Sequence, residues 1–218
     1  MRKRICIAVV ITAVAALYVY TYGPQRRNAR IITEVERGNY AVLAEVVDSR
    51  RDAPDLVSGR ERVIMVLSSR GELEWIRRLR ERGFSCVLAD ESGATPLHRA
   101  VWGGHVATAR YLIDAGNDVN AVASSGTTPL LGSIFQSDVR MTRMLLRAGA
   151  DAEREVSGIV PFVFAIRMGD TNVVQTLIDF GVKTNIVDAI TGTNAALSLE
   201  RNEDEMRVFL EKALGSMQ

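Results

Sequence analysis

The stretch GATPLHRAVWGGHVATARYLIDAGNDVN, residues 93–120, decides the fold of this chain because two altered copies of it follow. The copies are GTTPLLGSIFQSDVRMTRMLLRAGADAE at 126–153 and GIVPFVFAIRMGDTNVVQTLIDFGVKTN at 158–185. Their prolines, Pro96, Pro129 and Pro161, are separated by 33 and 32 residues. Self-similarity at this period predicts a solenoid, in which each unit buries its apolar face against the next.

Two further positions extend the period along the chain. The glycine that closes the second helix recurs at Gly83, Gly116, Gly149 and Gly181. The turn between the two helices falls at Gly38, Gly71, Gly104, Ser137, Gly169 and Asn202. We therefore predict a repeat domain over 31–214, with units at about 31–56, 57–89, 90–122, 123–154, 155–188 and 189–214, whose degenerate outer units act as caps.

The sequence pattern predicts two short helices followed by a loop in each unit. Thr95-Pro96 and Thr128-Pro129 place a hydroxyl N-cap before a proline in the first helical turn, where the missing N–H costs nothing. Apolar residues at helical spacing follow in the second helix, and glycine ends it in the left-handed conformation. The predicted fold class is therefore an all-α solenoid of stacked helix–turn–helix units.

These residues resemble the ankyrin repeat. The segment DESGATPLHRAVWGGHVATARYLIDAGNDVNA at 90–121 follows the pattern of that family almost throughout. The resemblance is strongest over 90–186, weaker at 57–89, partial at 190–214 and faint at 31–56. It departs from the pattern where Leu131 and Val163 replace the histidine of TPLH, Val160 replaces its threonine, and Ser137 replaces the turn glycine. It implies hairpin-like loops between units and a concave face, made by the first helices, that binds partners.

The N-terminus predicts a membrane anchor. A basic tail at 1–4 precedes ICIAVVITAVAALYVYTY, residues 5–22, which carries no charge and would reach about 27 Å as a helix. We interpret it as an uncleaved signal anchor followed by a basic linker at 23–30. The short positive tail favours an extracytoplasmic repeat domain, periplasmic if the source is bacterial. A cleaved signal peptide is the alternative, and it would release a secreted soluble effector.

The charge distribution and the absence of catalytic motifs exclude several classes of function. Residues 1–30 hold 6 basic residues and no acid, which leaves 21 basic and 26 acidic residues in 31–218. A mildly acidic domain repels a phosphate backbone, so we predict no nucleic-acid partner. No nucleophile elbow, phosphate loop or HExxH motif occurs. We therefore predict a non-enzyme without cofactor, metal or small-molecule substrate.

The two histidines of the chain, His98 and His105, fall in the best copy of the repeat. A metal or redox site using His98, His105 and Cys86 is the competing hypothesis, but three or four converging ligands are not evident. The resemblance implies that His98 bonds to neighbouring backbone and that His105 begins the second helix. Cys86 aligns with Val119 and Ala152, so we expect a small buried side chain.

The predicted function is non-catalytic binding of a protein partner, as an inhibitor or immunity protein or as an accessory factor. The residue two places before each turn, with its neighbours, marks the candidate concave face: Trp102, Phe135, Arg167, Met168, Arg99 and Gln136. Aromatic, arginine and methionine side chains are typical of interface centres. Polar residues mark the loop tips: Glu91, Ser92, Ser124, Ser125, Glu155 and Ser157.

One outer helix is rich in arginine, with Arg77, Arg78, Arg80 and Arg82 in EWIRRLRERG at 74–83. Anionic lipid or an acidic protein could dock there. Interleaved glutamates, and Ile76 and Leu79 as its buried stripe, favour a solvated outer face instead.

Overall fold

A computed structural model describes residues 29–48 and 60–182 of the 218-residue chain. Within these ranges the backbone forms short α-helices joined by turns and loops. They are α1 (29–36), α2 (Ala41–Asp48), α3 (Arg60–Arg70), α4 (Leu73–Glu81), α5 (Pro96–Trp102), α6 (Val106–Asp114), α7 (Pro129–Phe135), α8 (Val139–Arg147), α9 (Pro161–Met168) and α10 (Thr171–Asp179). Contacts group these residues into two compact units, the first with 29–48, 60–67 and Glu74–Ser85, and the second with Ser68–Leu73 and 86–182.

The first unit is built on α1, α2, α4 and most of α3. Its fully buried side chains include Leu43, Ile64, Leu67, Ile76 and Leu79. The sequence prediction for α4 is confirmed, because Ile76 and Leu79 are buried while the four arginines of 77–82 are exposed. Arg78 lies 3.2 Å from the Glu74 carboxylate and 5.3 Å from the centre of the Trp75 ring.

The second unit contains three helix pairs, α5–α6, α7–α8 and α9–α10. The first helices contact one another in succession, α5 with α7 and α7 with α9. The second helices do the same, α6 with α8 and α8 with α10. The apolar stripe of each pair is buried against its neighbours, as at Leu97, Leu112, Leu130, Leu145 and Phe162. This succession within the unit is the stacking that the repeat predicted.

The helix starts follow the residues of the sequence pattern. The Thr95 hydroxyl accepts a hydrogen bond from the His98 amide, and the Thr128 hydroxyl accepts one from the Leu131 amide. Val160 has no side-chain oxygen, and α9 accordingly begins without a side-chain cap. The third copy therefore lacks the hydroxyl cap of the first two, and Pro161 in its first turn limits the loss.

The turn positions show the predicted period directly in the backbone. Gly38, Gly71, Gly104 and Gly169 have positive φ, and the glycines that close the second helices do as well. Ser137 occupies the same place with φ of 55°. An L side chain is strained in this left-handed region, so stacking of α7 and α8 holds Ser137 in a conformation that glycine would adopt freely.

Replacing Ser137 by glycine is expected to raise the free energy of unfolding by about 0.5–1 kcal/mol. Glycine relieves the backbone strain of the folded state, and this relief outweighs the greater conformational entropy that glycine has in the unfolded chain. Urea unfolding monitored by circular dichroism measures the change. The neighbouring Gln136→Gly variant is the control, because Gln136 has φ of −87° and should lose stability instead. A destabilised Ser137→Gly protein would contradict the turn geometry.

The loops between pairs are tight and nearly free of sheet. In the residues that the structure describes, β pairing is limited to one isolated bridge between Val156 and Ile159. Gly93, Gly126 and Gly158 occupy equivalent positions in these loops with positive φ. The Ser124 amide donates to the Ser92 carbonyl oxygen at 2.7 Å, so successive loops are bonded to each other.

Several predictions about the chain ends are not tested. No helix of the described residues is long and apolar enough to cross a bilayer. The predicted anchor at 5–22, Asn202 and the unit at 189–214 lie outside those residues. The last two residues of the predicted linker, 29 and 30, are helical. No proline or glycine separates them from the residues of α1, so nothing in the sequence stops the helix from beginning there.

Candidate binding surface on the first helices

Large side chains at the ends of α5, α7 and α9 remain exposed. Trp102 is 47% accessible to solvent, Phe135 54% and Met168 42%. Arg99, Gln136 and Arg167 are exposed on the same helices or immediately after them. We call these six residues the first-helix face. Exposed apolar side chains of this size, side by side on contacting helices, are typical of surfaces that bind partners.

Trp102 and Phe135 form one aromatic platform. Their ring centres are 5.6 Å apart and the rings are tilted by 55°, an arrangement that favours contact between aromatic edges and faces. Gly132 of α7 lies beside the Trp102 ring, since a Cβ there would be in ordinary contact with the Nε1 atom, at 3.6 Å. A longer side chain would occupy the space along the indole. The Gln136 amide adds hydrogen bonds to the carbonyl oxygens of Val101 and Gly132.

A depression of about 180 Å³ opens beside Trp102. It lies between two successive loops and the first turns of α5. Its lining combines hydroxyls, a guanidinium, a histidine and small apolar groups: Ser92, Ala94, His98, Arg99, Trp102, Ala123, Ser125 and Thr127. A volume of this order accommodates a single side chain of a partner rather than a drug-sized ligand, for which pockets are larger.

Asp90 organises the loop beside this depression. One carboxylate oxygen accepts hydrogen bonds from the Ser92 and Ala94 amides, at 2.9 and 3.1 Å, and from the Ser92 hydroxyl. The other oxygen is 2.6 Å from an Arg99 guanidinium nitrogen. Burial alone would raise the pKa of Asp90, but the bonds from Ser92, Arg99 and Ala94 hold it at about 2. Asp90 is therefore ionised at neutral pH and fixes the direction of Arg99.

His98 has a structural role. Its Nδ1 accepts the Thr95 amide at 3.1 Å, which leaves the proton on Nε2 to be donated to the Thr127 carbonyl oxygen at 3.1 Å. The side chain thus completes a capping box on α5 and links it to the next loop. Burial lowers the pKa of His98 below its ordinary value of 6.5, so the ring is neutral at pH 7.

The metal and redox hypothesis finds no support in this geometry. Both His98 ring nitrogens are engaged, and His105, at the N-cap of α6, places Nε2 3.1 Å from the Ser69 carbonyl oxygen. Cys86 is buried, as expected, and its carbonyl oxygen accepts the Asn117 side-chain amide. The described residues contain no group of three or more His, Cys, Asp or Glu side chains that could hold a metal ion. The implied scaffold roles of His98 and His105 are confirmed.

Protonation of His98 gives an expected dependence of stability on pH. Its pKa is lower in the folded state than in the unfolded chain, so the folded protein binds fewer protons. The contribution is complete above about pH 6.5 and is lost as pH falls through the folded pKa. The free energy of unfolding should therefore decrease as pH falls below about 6.5, in a window above that in which Asp90 titrates.

Urea unfolding at several pH values measures this slope. His98→Leu is the matched control, because Leu131 occupies the equivalent position in the next copy. This variant should be less stable at neutral pH, since the Thr95 amide loses its acceptor, but flatter across the window. An equal slope in both proteins would remove His98 as its source.

The predicted loop-tip residues lie together at the surface of the second unit. The tip residues in each of three successive loops are exposed: Glu91, Ser92, Ser124, Ser125, Glu155 and Ser157. Ser157 has φ of 52°, and its side chain lies where a Cβ on Gly126 would be. The tips are therefore held by contacts between loops, which limits the ordering required when a partner binds.

Comparison with known proteins identifies the repeat. Residues 34–123 match the family model described as ankyrin repeats, in three copies. Residues 34–123 therefore contain ankyrin repeats. The match begins at residue 34, so it includes most of the first repeat, at 31–56, where the sequence resembles the family least. Ankyrin repeats are typically non-catalytic interaction domains, and they indicate a protein–protein interaction module here.

One fungal protein is similar to part of this chain. The chain is 35% identical over 80 residues to the palmitoyltransferase akr1 of Emericella nidulans. The aligned stretch covers 36% of this chain and 11% of the length of that protein. A match to so small a part of an enzyme gives no indication of catalysis in this chain.

Sequence inspection missed two features of the second unit. Gly132 appears in the sequence as a glycine inside a helix, which is ordinarily a weakness. Only the structure shows that it lies against Trp102, where a Cβ would be in ordinary contact with the indole. The second feature is a row of arginines on α8. The repeat period offers a signal for its central member, because Arg143 follows Arg110 by 33 residues and Arg110 follows Arg77 by 33 residues.

Proposed function

We propose that this chain is a non-catalytic ankyrin-repeat protein that captures a protein partner on the first-helix face. The observation that carries the proposal is the exposed Trp102–Phe135 platform, with ring centres 5.6 Å apart. Tryptophan supplies a large share of the energy at many interfaces, and a platform fixed by neighbouring helices loses little entropy on binding. Arg99 and Asp90 beside it supply oriented polar groups for specificity.

The platform favours a partner segment that combines an apolar side chain with an acidic one. Arg167, one repeat beyond Phe135, makes no ion pair among the described residues and can donate hydrogen bonds to a carboxylate of the partner. The depression lined by Arg99, Ser92, Ser125 and Thr127 can take a single polar side chain. The loop tips extend this surface with hydroxyl and carboxylate groups. The partner itself could be an enzyme held inactive or an enzyme that needs a stabilising factor.

The proposal includes attachment to a membrane through residues 5–22, with the repeats on the extracytoplasmic side. The support is the uncharged length of that segment and the basic tail before it. Alkaline extraction of membranes from expressing cells, followed by the intact mass of the chain, tests this part. A full-length chain in the membrane pellet supports it, whereas a soluble chain shortened at the N-terminus indicates a secreted protein.

Photocrosslinking in cells tests the binding surface. A photoreactive benzoylphenylalanine in place of Phe135 should capture one protein, and the capture should disappear when Trp102→Ala is added. The same amino acid in place of Phe180 is the matched control, because Phe180 is an exposed aromatic residue after α10, outside the first-helix face. A product formed equally at both positions, or one unaffected by Trp102→Ala, would contradict the proposal.

A further inference from the structure

The arginine row of α8 is a second charged surface in the unit that contains the platform. Arg140, Arg143 and Arg147 are exposed, and the helix has no acidic residue. Their spacing of three and four residues places them within an arc of about 60° along about 10 Å of one helix face. Arg110 of α6 is exposed beside them. None of the four makes an ion pair with another described residue.

A cleft between α6 and α8 adjoins this row. It has a volume of about 270 Å³ and is lined by Arg110, Ile113, Asp114, Met144, Arg147 and Ala148. Guanidinium groups of both helices therefore flank a partly apolar floor. α4 differs, because its Arg78 is already paired with Glu74 and stacked on Trp75. The α8 row thus combines unpaired guanidiniums with a partly apolar cleft.

We propose that the α8 row and its cleft form a second docking site, for a short acidic helix of a partner protein. Carboxylates at three- and four-residue spacing on such a helix would meet the three guanidiniums in register, and one apolar side chain between them would enter the cleft. The site is separate from the first-helix face. Evidence against one of the two sites would therefore not count against the other.

Net charge favours a short protein segment over a broad polyanion. Residues 86–182 carry 7 arginines and 10 acidic residues, so the region as a whole repels an extended anionic surface. Three of those arginines are concentrated on α8. A segment that touches only the row gains the local attraction, because exposed charges more than about 8 Å away are largely screened at physiological salt.

Fluorescence anisotropy of the full-length chain tests the site with a defined probe. The probe is a fluorescein-labelled helical peptide with glutamates at the spacing of the row and a leucine between them. A peptide with glutamine at the same places is its control. The glutamate peptide should bind and weaken as salt is raised, and the glutamine peptide should not bind. The combined Arg140→Gln, Arg143→Gln and Arg147→Gln variant should weaken binding at least about tenfold.

Arg154→Gln is the matched variant, because Arg154 is exposed in the loop before α9 and outside the row. It should leave the affinity unchanged. Binding to vesicles of phosphatidylglycerol and phosphatidylcholine is measured as well, to test whether the row binds a lipid surface instead. Binding to these vesicles through the row, with no binding of the peptide, would replace the acidic helix by a lipid surface and overturn the proposal. Equal peptide affinity in wild type and triple variant, or no peptide binding at all, would overturn it as well.

The triple variant must also remain folded, which its exposed positions favour. Its urea midpoint is compared with that of the wild-type chain. If the combined change unfolds the protein, the peptide affinity of the single variant Arg143→Gln is measured instead, because this change removes the central charge of the row. The expected loss is then about two- to threefold, against none for Arg154→Gln.

Discussion

Replacement of Leu145 by alanine should lower the free energy of unfolding by about 3 kcal/mol, within the range of about 2–5 kcal/mol typical of buried leucines. Leu145 is fully buried in α8, which contacts α6 and α10 as well as α7. The change leaves a cavity where adjacent repeats meet, and no single repeat can close it alone. Urea unfolding followed by circular dichroism gives the measurement.

The matched control for Leu145→Ala is Leu146→Ala, the same chemical change one residue later on the same helix. Leu146 is only partly buried, so its loss should be clearly smaller. The comparison removes the effect of helix propensity, which is the same for both substitutions. Equal losses at the two positions would mean that the helix faces assigned to α8 are wrong.

The double variant Trp102→Ala/Phe135→Ala should weaken binding of the cross-linked partner by at least about 100-fold, because each residue is expected to act as a hot spot. Both side chains are about half exposed, so the helix content should stay at the wild-type value. Affinity is measured with the purified partner, and the helix signal is measured by far-UV circular dichroism on the same samples.

Phe180→Ala serves as the control for the double variant. Phe180 is 39% exposed and lies after α10, so its loss removes a similar exposed aromatic ring without touching the platform. Its affinity should equal that of the wild-type chain. If the double variant binds normally, the first-helix face is not the binding surface. If it loses its helix signal, the two rings belong to the core of the stack.

Most of the fold of the second unit could be predicted because its signals are local. A threonine before a proline, a glycine at a turn and an apolar stripe each act within one or two helical turns. Ser137 shows why the period is stronger than any one residue. Its backbone is left-handed like that of the glycines at the same position, because the packing of the neighbouring repeats fixes the turn.

The candidate site could be predicted only in part. The exposure of Trp102 and Phe135 agrees with their predicted position, because a repeat period fixes which face a residue lies on. The ion pair of Arg99 with Asp90 could not be predicted, since it depends on how the loop folds across nine residues. The space over Gly132 depends on the packing of α5 against α7, which no spacing in the sequence contains.

Hydroxyl-radical footprinting of Trp102, in the free chain and in the partner complex, shows whether this side chain lies at the binding surface. We expect Trp102 to be oxidised readily in the purified chain, because about half of the residue is exposed, and to be protected when the partner is bound. Trp75, which belongs to the first unit, provides an internal reference in both samples. A Trp102 that resists oxidation in the free chain, or one that is oxidised equally in the complex, would contradict a binding surface at this position.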